Sequence, residues 1–209
     1  MTTERARKKK LVIGLVGGIG SGKSFVAHLL GRMGGYVIEA DKLGHAALCQ
    51  PQLREQIVHH FGKQVLNDRG EIDRRCLAAI VFSQPQKRSI LEAIVHPYIG
   101  QRIQEELAHA QADPKSRFIV LDAALLLEAG WDHVCDKILF IEAPPELRQQ
   151  RTQQSRGWSY AEWQAREAAQ WPIERKRASA DAVLPNTADE QSLRIHLQDL
   201  LTNWLGGSS

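Results

Sequence analysis

Gly17, Gly22, Lys23 and Ser24 stand in the spacing G-x-x-x-x-G-K-S, inside the stretch GLVGGIGSGKSF that covers residues 14–25. Glycines at 17, 20 and 22 free the backbone to turn successive N–H groups toward one anion. A helix beginning near Lys23 adds the positive end of its dipole at the same point. Lys23 can reach the β and γ phosphates of a nucleotide held there, and the Ser24 hydroxyl suits Mg²⁺. The pattern predicts a bound nucleoside triphosphate. It leaves open whether the phosphate drives a motor, sets a switch or moves to another molecule.

Two further sets of residues bear on that question. Glu39 and Asp41 follow the apolar run YVI (36–38), and Asp122 follows FIVL (118–121). In an open α/β sheet, ligands bind beyond the carboxyl ends of the strands, so all three carboxylates are expected near the triphosphate. There a carboxylate can hold Mg²⁺ or accept a proton from an attacking hydroxyl. An N-cap on the next helix is the plainer reading of Asp41. Arg148, Arg151 and Arg156 fall in one polar stretch, with Arg166, Arg175, Lys176 and Arg177 beyond it. A solvated basic face would explain them, and so would a lid of cations closing over a moving phosphoryl group.

The elements that must position these residues are legible in outline. Leu11–Val16 is a short apolar run of the kind buried on both faces of a parallel sheet. A helical pattern over Ser24–Met33 ends at Gly34-Gly35, and a second strand follows at Tyr36–Ile38. Strand, glycine loop, helix and strand make a βαβ unit with a right-handed crossover. From 42 to about 111 the texture is helical, over 42–49, 52–61, 74–82 and 86–110, with no strong strand signal. Strands return at Phe118–Leu121, Lys137–Ile141 and Ala182–Leu184, and a closing helix is expected over Ser192–Leu205. Helix is also expected after Pro144-Pro145 and from Trp158 to Ala178, broken near Pro172. Trp158, Trp163 and Trp171 read as packing residues of that region. His96, in the apolar stretch AIVHPYI, reads by itself as a hydrogen-bonded packing residue.

Composition narrows the classes. The 209 residues suffice for one domain with a substantial core. A hydrophobic fraction of 43% and a charged fraction of 24% are ordinary for a soluble globular chain. The net charge of +3 gives no general case for nucleic acid, and the basic run Arg5, Arg7–Lys10 reads as a solvated tail. Cys49, Cys76 and Cys135 are widely spaced and odd in number, which suggests reduced thiols rather than disulfides or a zinc site. No apolar stretch approaches the ~20 residues of a membrane span. A soluble cytoplasmic protein is expected.

A motor core would need further motifs that this sequence lacks. Asp41-Lys42-Leu43-Gly44 matches D-x-x-G by chance, and no N-K-x-D guanine-reading motif accompanies it. A helical insertion after the second strand and an Arg-rich segment before the last are the organisation of a small nucleotide-type kinase. The expected fold is α/β: a parallel five-stranded sheet flanked by helices (core about 11–41, 112–145 and 179–205). It carries a helical acceptor-binding insertion (about 42–111) and a helical lid (about 146–178), all in one domain over 1–209.

On GLVGGIGSGKS (14–24), VIEAD (37–41), IVHPYI (94–99), LLLEAG (125–130), ELRQQRTQQSRG (146–157), Gln170 and ADAVLPN (180–186), the chain resembles the dephospho-coenzyme A kinases from about Leu11 to Leu200. The resemblance implies ATP- and Mg²⁺-dependent phosphorylation of the ribose 3′-hydroxyl of dephospho-coenzyme A. Gly18, Ile19, Gly20, Ser21, Gly22, Lys23, Ser24 and Phe25 would wrap the ATP phosphates. Asp41 would stand at the reacting hydroxyl, with His96, Leu125 and Leu126 on the acceptor side. Arg148, Arg151 and Arg156 would belong to the lid, Arg148 and Arg151 stabilising charge on the moving phosphoryl group and Arg156 holding the nucleotide; Asn186 would lie toward the adenine, and Ser24 with Asp122 would hold the metal. The chain departs from the family pattern at Glu39, Ala124, Pro185 and Phe25. A nucleoside or nucleotide kinase is the nearest alternative, and a non-enzymatic nucleotide-dependent module that grips nucleic acid through residues 1–10 is a more distant one. No nucleic acid or membrane partner is expected, and a monomer is favoured.

Overall fold

A computed structural model describes residues 9–187 and 189–206. Five parallel strands form one sheet in the order β2-β3-β1-β4-β5. They are β1 (Val12–Gly17), β2 (Gly35–Glu39), β3 (Phe118–Asp122), β4 (Lys137–Glu142) and β5 (Ala182–Pro185). Every residue of β1 and β3 is buried, as their unbroken apolar runs require of central strands covered on both faces. The register pairs Leu15 with Asp122 and Glu39 with Asp122, so the carboxylate-bearing strand ends stand side by side.

Alternation along β1 divides the core in two. Ile13 and Leu15 face α1 (Lys23–Arg32) and α9 (Glu190–Gly206), meeting Val26, Leu29, Leu30, Leu193 and Leu197. Val12 and Val16 point the other way, toward Ile99, Ile103 and Leu107 of α5 (Pro85–Ala112) and toward the turn after β3. Gly14 lies on that second face. A Cβ there would stand 2.6 Å from Leu126 and 2.7 Å from Cys135 Sγ, so the turn packs against bare main chain.

The helices between β2 and β3 are α2 (Ala40–Leu48), α3 (Pro51–Phe61), α4 (Arg74–Ser83) and α5. They enclose a third core of Ile57, Phe61, Val65, Ile72, Leu77 and Val81. Asp73 caps α4 by accepting from the backbone of Arg75 and Cys76. The turn before it closes through a single antiparallel bridge, Leu66 with Ile72, the one piece of strand pairing in this stretch among the described residues. Between β4 and β5 lie α6 (Pro145–Arg156), α7 (Tyr160–Ala168) and α8 (Ile173–Ala178). The helix expected from Trp158 starts only at Tyr160, because Ser159 and Glu162 form a capping box there.

Of the basic N-terminal run, residues 5–8 lie outside the described residues. Lys9 pairs with Asp136 at 3.1 Å, and Lys10 Nζ donates to Ala110 O, Asp113 O and Ser116 Oγ at the carboxyl end of α5. A lysine there neutralises unsatisfied carbonyls and the negative dipole end. These two residues act as structural ties. No helix among the described residues is long and apolar enough to cross a membrane.

Candidate active site

The glycine loop leaves the sheet at Gly17 and enters α1 at Lys23, with Gly22 as the left-handed residue before the helix. Positive φ at Gly20 (82°) and Gly22 (91°) is the backbone conformation that only glycine adopts without strain. The loop is also pressed from behind. A Cβ at Gly18 would come within 2.2 Å of Arg148 Nη1, and one at Gly22 within 2.2 Å of Asn186 Nδ2. Asn186, buried just after β5, donates to Ser21 O at 2.7 Å. Trp163 Nε1 donates to Ile19 O at 3.3 Å. The tryptophan expected only to pack this helical region thus also ties α7 to the loop.

In front of the loop is a cavity of about 850 Å³. Ile19, Gly20, Gly22, Lys23, Ser24 and Phe25 line it on the loop side, and Asp122 lines its floor. Asp41, His96 and Leu125 line the side of the helical insertion, while Arg151 and Arg156 line the lid side. One space therefore joins most of the residues singled out in the sequence. Gly18, Ser21, Leu126, Arg148 and Asn186 stand behind its walls. Leu126 is buried in the core under Gly14, whereas its neighbour Leu125 faces the cavity.

Charge is distributed unevenly around this space. Burial pushes the Lys23 ammonium down to about 8, although Asp122 and Asp41 pull it the other way. Its Nζ donates to Gly17 O (3.1 Å) and Gly18 O (3.2 Å), main-chain partners that offer no counter-charge. Asp122 is held above the usual carboxylate range by burial, against a hydrogen bond from Ser24 and the charge of Lys23. Ser24 and Asp122 together present a hydroxyl and a carboxylate. Hard oxygens of this kind suit Mg²⁺ when phosphate oxygens and water complete its shell. Asp41 sits in the first turn of α2 beyond the carboxyl end of β2. The cap position belongs to Glu39, whose carboxylate instead pairs with exposed Lys42 at 2.7 Å. Burial lowers the affinity of His96 for a proton, and the ring stacks edge-on against Trp131 at 5.3 Å.

The lid arginines differ in their surroundings. Arg148 is buried: its Nη1 meets both Glu167 oxygens at 2.5 Å, and Nε donates to Ala143 O. Its guanidinium also lies over Trp163. In this arrangement Arg148 braces the loop from behind. Arg151, which faces the cavity, donates to Ser21 O and Asn186 O at its edge. A second buried pair, Lys176 with Glu128 at 2.8 Å, has no signal in the residue pattern. Lys176 also donates to Gln170 Oε1, and Glu128 accepts from the Trp171 backbone. Together they fasten the root of the lid to the turn that carries Leu125. Glu128 and Gln170 lie inside the stretches quoted for the family resemblance, but their partner is six residues further along an unremarkable basic run.

Known proteins match the chain along nearly its whole length. The CoaE dephospho-CoA kinase family model covers residues 11–191. A dephospho-CoA kinase of Parasynechococcus marenigrum is 42% identical over 182 residues, which is 87% of this chain and 90% of that protein. The crystal structure of TT1252 from Thermus thermophilus superposes with a TM-score of 0.79 at 38% identity, covering 94% of this chain and 98% of that one. Dephospho-CoA kinase from Campylobacter jejuni follows at a TM-score of 0.68 and 28% identity, covering 95% and 98%. The chain belongs to the dephospho-CoA kinase family.

Proposed function

We infer that the chain transfers the γ-phosphoryl group of ATP to the ribose 3′-hydroxyl of dephospho-coenzyme A, giving coenzyme A and ADP. This is the last step of coenzyme A synthesis. The observation that carries the reading is the single cavity in which Lys23, Ser24 and Asp122 meet Asp41. A triphosphate cradled by the loop points its terminal phosphate at the space beside that carboxylate. Family membership supports dephospho-coenzyme A as acceptor and gives the nucleoside-kinase and nucleic-acid alternatives none.

Asp41 orients the 3′-hydroxyl and accepts its proton as the oxygen bonds to the γ-phosphorus and the bond to the β–γ bridging oxygen breaks. Lys23 exchanges its two carbonyl partners for the β and γ phosphates, and Arg151 adds charge from the lid. Ser24 and Asp122 would hold Mg²⁺, which would supply charge neutralisation to the phosphates. Helices α2 to α5 hold the acceptor against His96 and Leu125, and α6 to α8 form the lid. Arg156 closes the lid side, while Arg148 and Asn186 keep the loop in shape from behind. All these groups come from one chain, which supports a monomeric working unit. The three free thiols support a reducing, cytoplasmic setting.

The test is a panel of acceptors supplied with ATP and Mg²⁺, reading ADP release and the phosphorylated product. Dephospho-coenzyme A is expected to give the highest kcat/KM. Turnover of nucleoside monophosphates without turnover of dephospho-coenzyme A would overturn the reading.

A further inference from the structure

Beyond the cavity, between α2, α4 and the lid, a groove of about 1220 Å³ opens. It shares His45, Val81, Leu91, Arg156, Trp158 and Arg166 with the cavity, so the two form one continuous path. Its mouth is cationic. Arg74 is exposed, and its Nη2 lies 2.5 Å from His45 Nε2. Burial and the neighbouring Arg74 lower the affinity of His45 for a proton, against the pull of Asp41. Arg166 lies between the rings of Phe82 (4.0 Å) and Trp158 (4.1 Å), and Arg156 covers Trp158 at 4.7 Å. Among the described residues, no ion pair engages Arg74, Arg156 or Arg166.

Folding does not explain this gathering. Arg74 opens α4, where the helix dipole repels a cation, and no acidic residue follows it in the first turn. Two carboxylates also line the groove, but Asp73 accepts from the start of α4 and Glu162 from Ser159, so the cations outnumber the acids and the groove suits an anion. Its position identifies the anion. His45 lies four residues beyond Asp41 on the same face of α2, about 6 Å along the axis. That distance is comparable with the span across a ribose, from the 3′ oxygen at Asp41 to the 5′ oxygen. The 5′ substituent of the acceptor is a diphosphate.

Resting on the proposed acceptor, we propose that Arg74 and His45, with Arg166 opposite, form the subsite for the acceptor's 5′-diphosphate. The arm beyond the diphosphate then runs along the apolar floor of Leu48, Ile72 and Leu77. The subsite selects acceptors by charge at a distance from the reacting oxygen.

Steady-state kinetics of Arg74→Ala, with His45→Gln as a second variant on another element, tests this. The KM for dephospho-coenzyme A is expected to rise about tenfold to a hundredfold, the scale of a lost charge-assisted bond, with a far smaller change in kcat and in the KM for ATP. Inhibition by adenosine, competing with the acceptor but carrying no phosphate, should keep its Ki. An acceptor KM unchanged in both variants overturns the subsite while leaving the kinase reading intact. An adenosine Ki that weakens as much as the acceptor KM also overturns it, because these residues would then hold the nucleoside end. A wild-type protein that does not phosphorylate dephospho-coenzyme A overturns the kinase reading itself, and the subsite with it.

Discussion

In the proposed mechanism Lys23 and Asp41 divide the reaction between charge and proton. A methionine at 23 keeps the length of the side chain without its charge, and an asparagine at 41 keeps the shape without the basicity. Lys23→Met and Asp41→Asn are each expected to lower kcat by at least ~10²-fold, the usual scale of electrostatic and acid–base terms. Near-wild-type turnover in a folded variant would remove that residue from the mechanism. The depressed ammonium of Lys23 has a second consequence. Without nucleotide it begins to lose its proton near pH 8, whereas a polyphosphate beside it favours the charged form. Binding must therefore draw a proton from solution as pH rises through about 8, and the uptake fades below that, where the lysine is already charged. Titration calorimetry of ATP in buffers of different ionisation enthalpy should register the uptake near pH 8.5. It should vanish in Lys23→Met.

Helix α6 shows what a helix can hide from its own sequence. PELRQQRTQQSR has almost no apolar residue and reads as a solvated face, yet Arg148 and Thr152 are buried under the glycine loop. The apolar strands could be found because unbroken runs between glycines have one cheap explanation. Asp122 and Asp41 followed because strand ends fix where the next side chains go. The arginine pattern alone leaves Arg148 open between a solvated face and a lid, and only the family resemblance puts it in the lid. Its burial depends on Glu167, nineteen positions away and carried by a different helix, and no periodicity connects the two. Leu125 and Leu126 illustrate the same limit, since adjacent residues in a turn must point apart and only packing decides which faces the ligand. Removing one partner of a buried pair strands the other. Arg148→Ala should therefore cost about 3 kcal/mol of stability in urea unfolding. Arg151→Ala, whose bonds reach neutral main-chain carbonyls and so leave no charge unpaired, should lose less stability and more kcat.

At the scale of the whole molecule, the site is a seam. The glycine loop and β3 supply Lys23 and Asp122, α2 and α5 supply Asp41 and His96, and α6 supplies Arg151 and Arg156. A ligand that touches all three ties them together and must stabilise the folded state as a unit. ATP with Mg²⁺ at a hundred times its Kd is expected to add about 2.7 kcal/mol. For a domain of this length that raises the melting midpoint by roughly 5–10 °C. Differential scanning calorimetry should show the rise in the wild type and little of it in Lys23→Met.

Gly14 touches no ligand, but it sets how far the acceptor turn stands from the strand that ends in the phosphate loop. With no side chain in the way, Leu126 and Cys135 settle on the backbone and Leu125 is drawn back to the cavity wall. A phosphoryl group leaving ATP has two possible takers, the intended hydroxyl and a stray water. A gap of one methyl group under that turn is room enough to alter which arrives first. Gly14→Ala, which would push that turn outward, is expected to raise phosphate release to solvent relative to transfer.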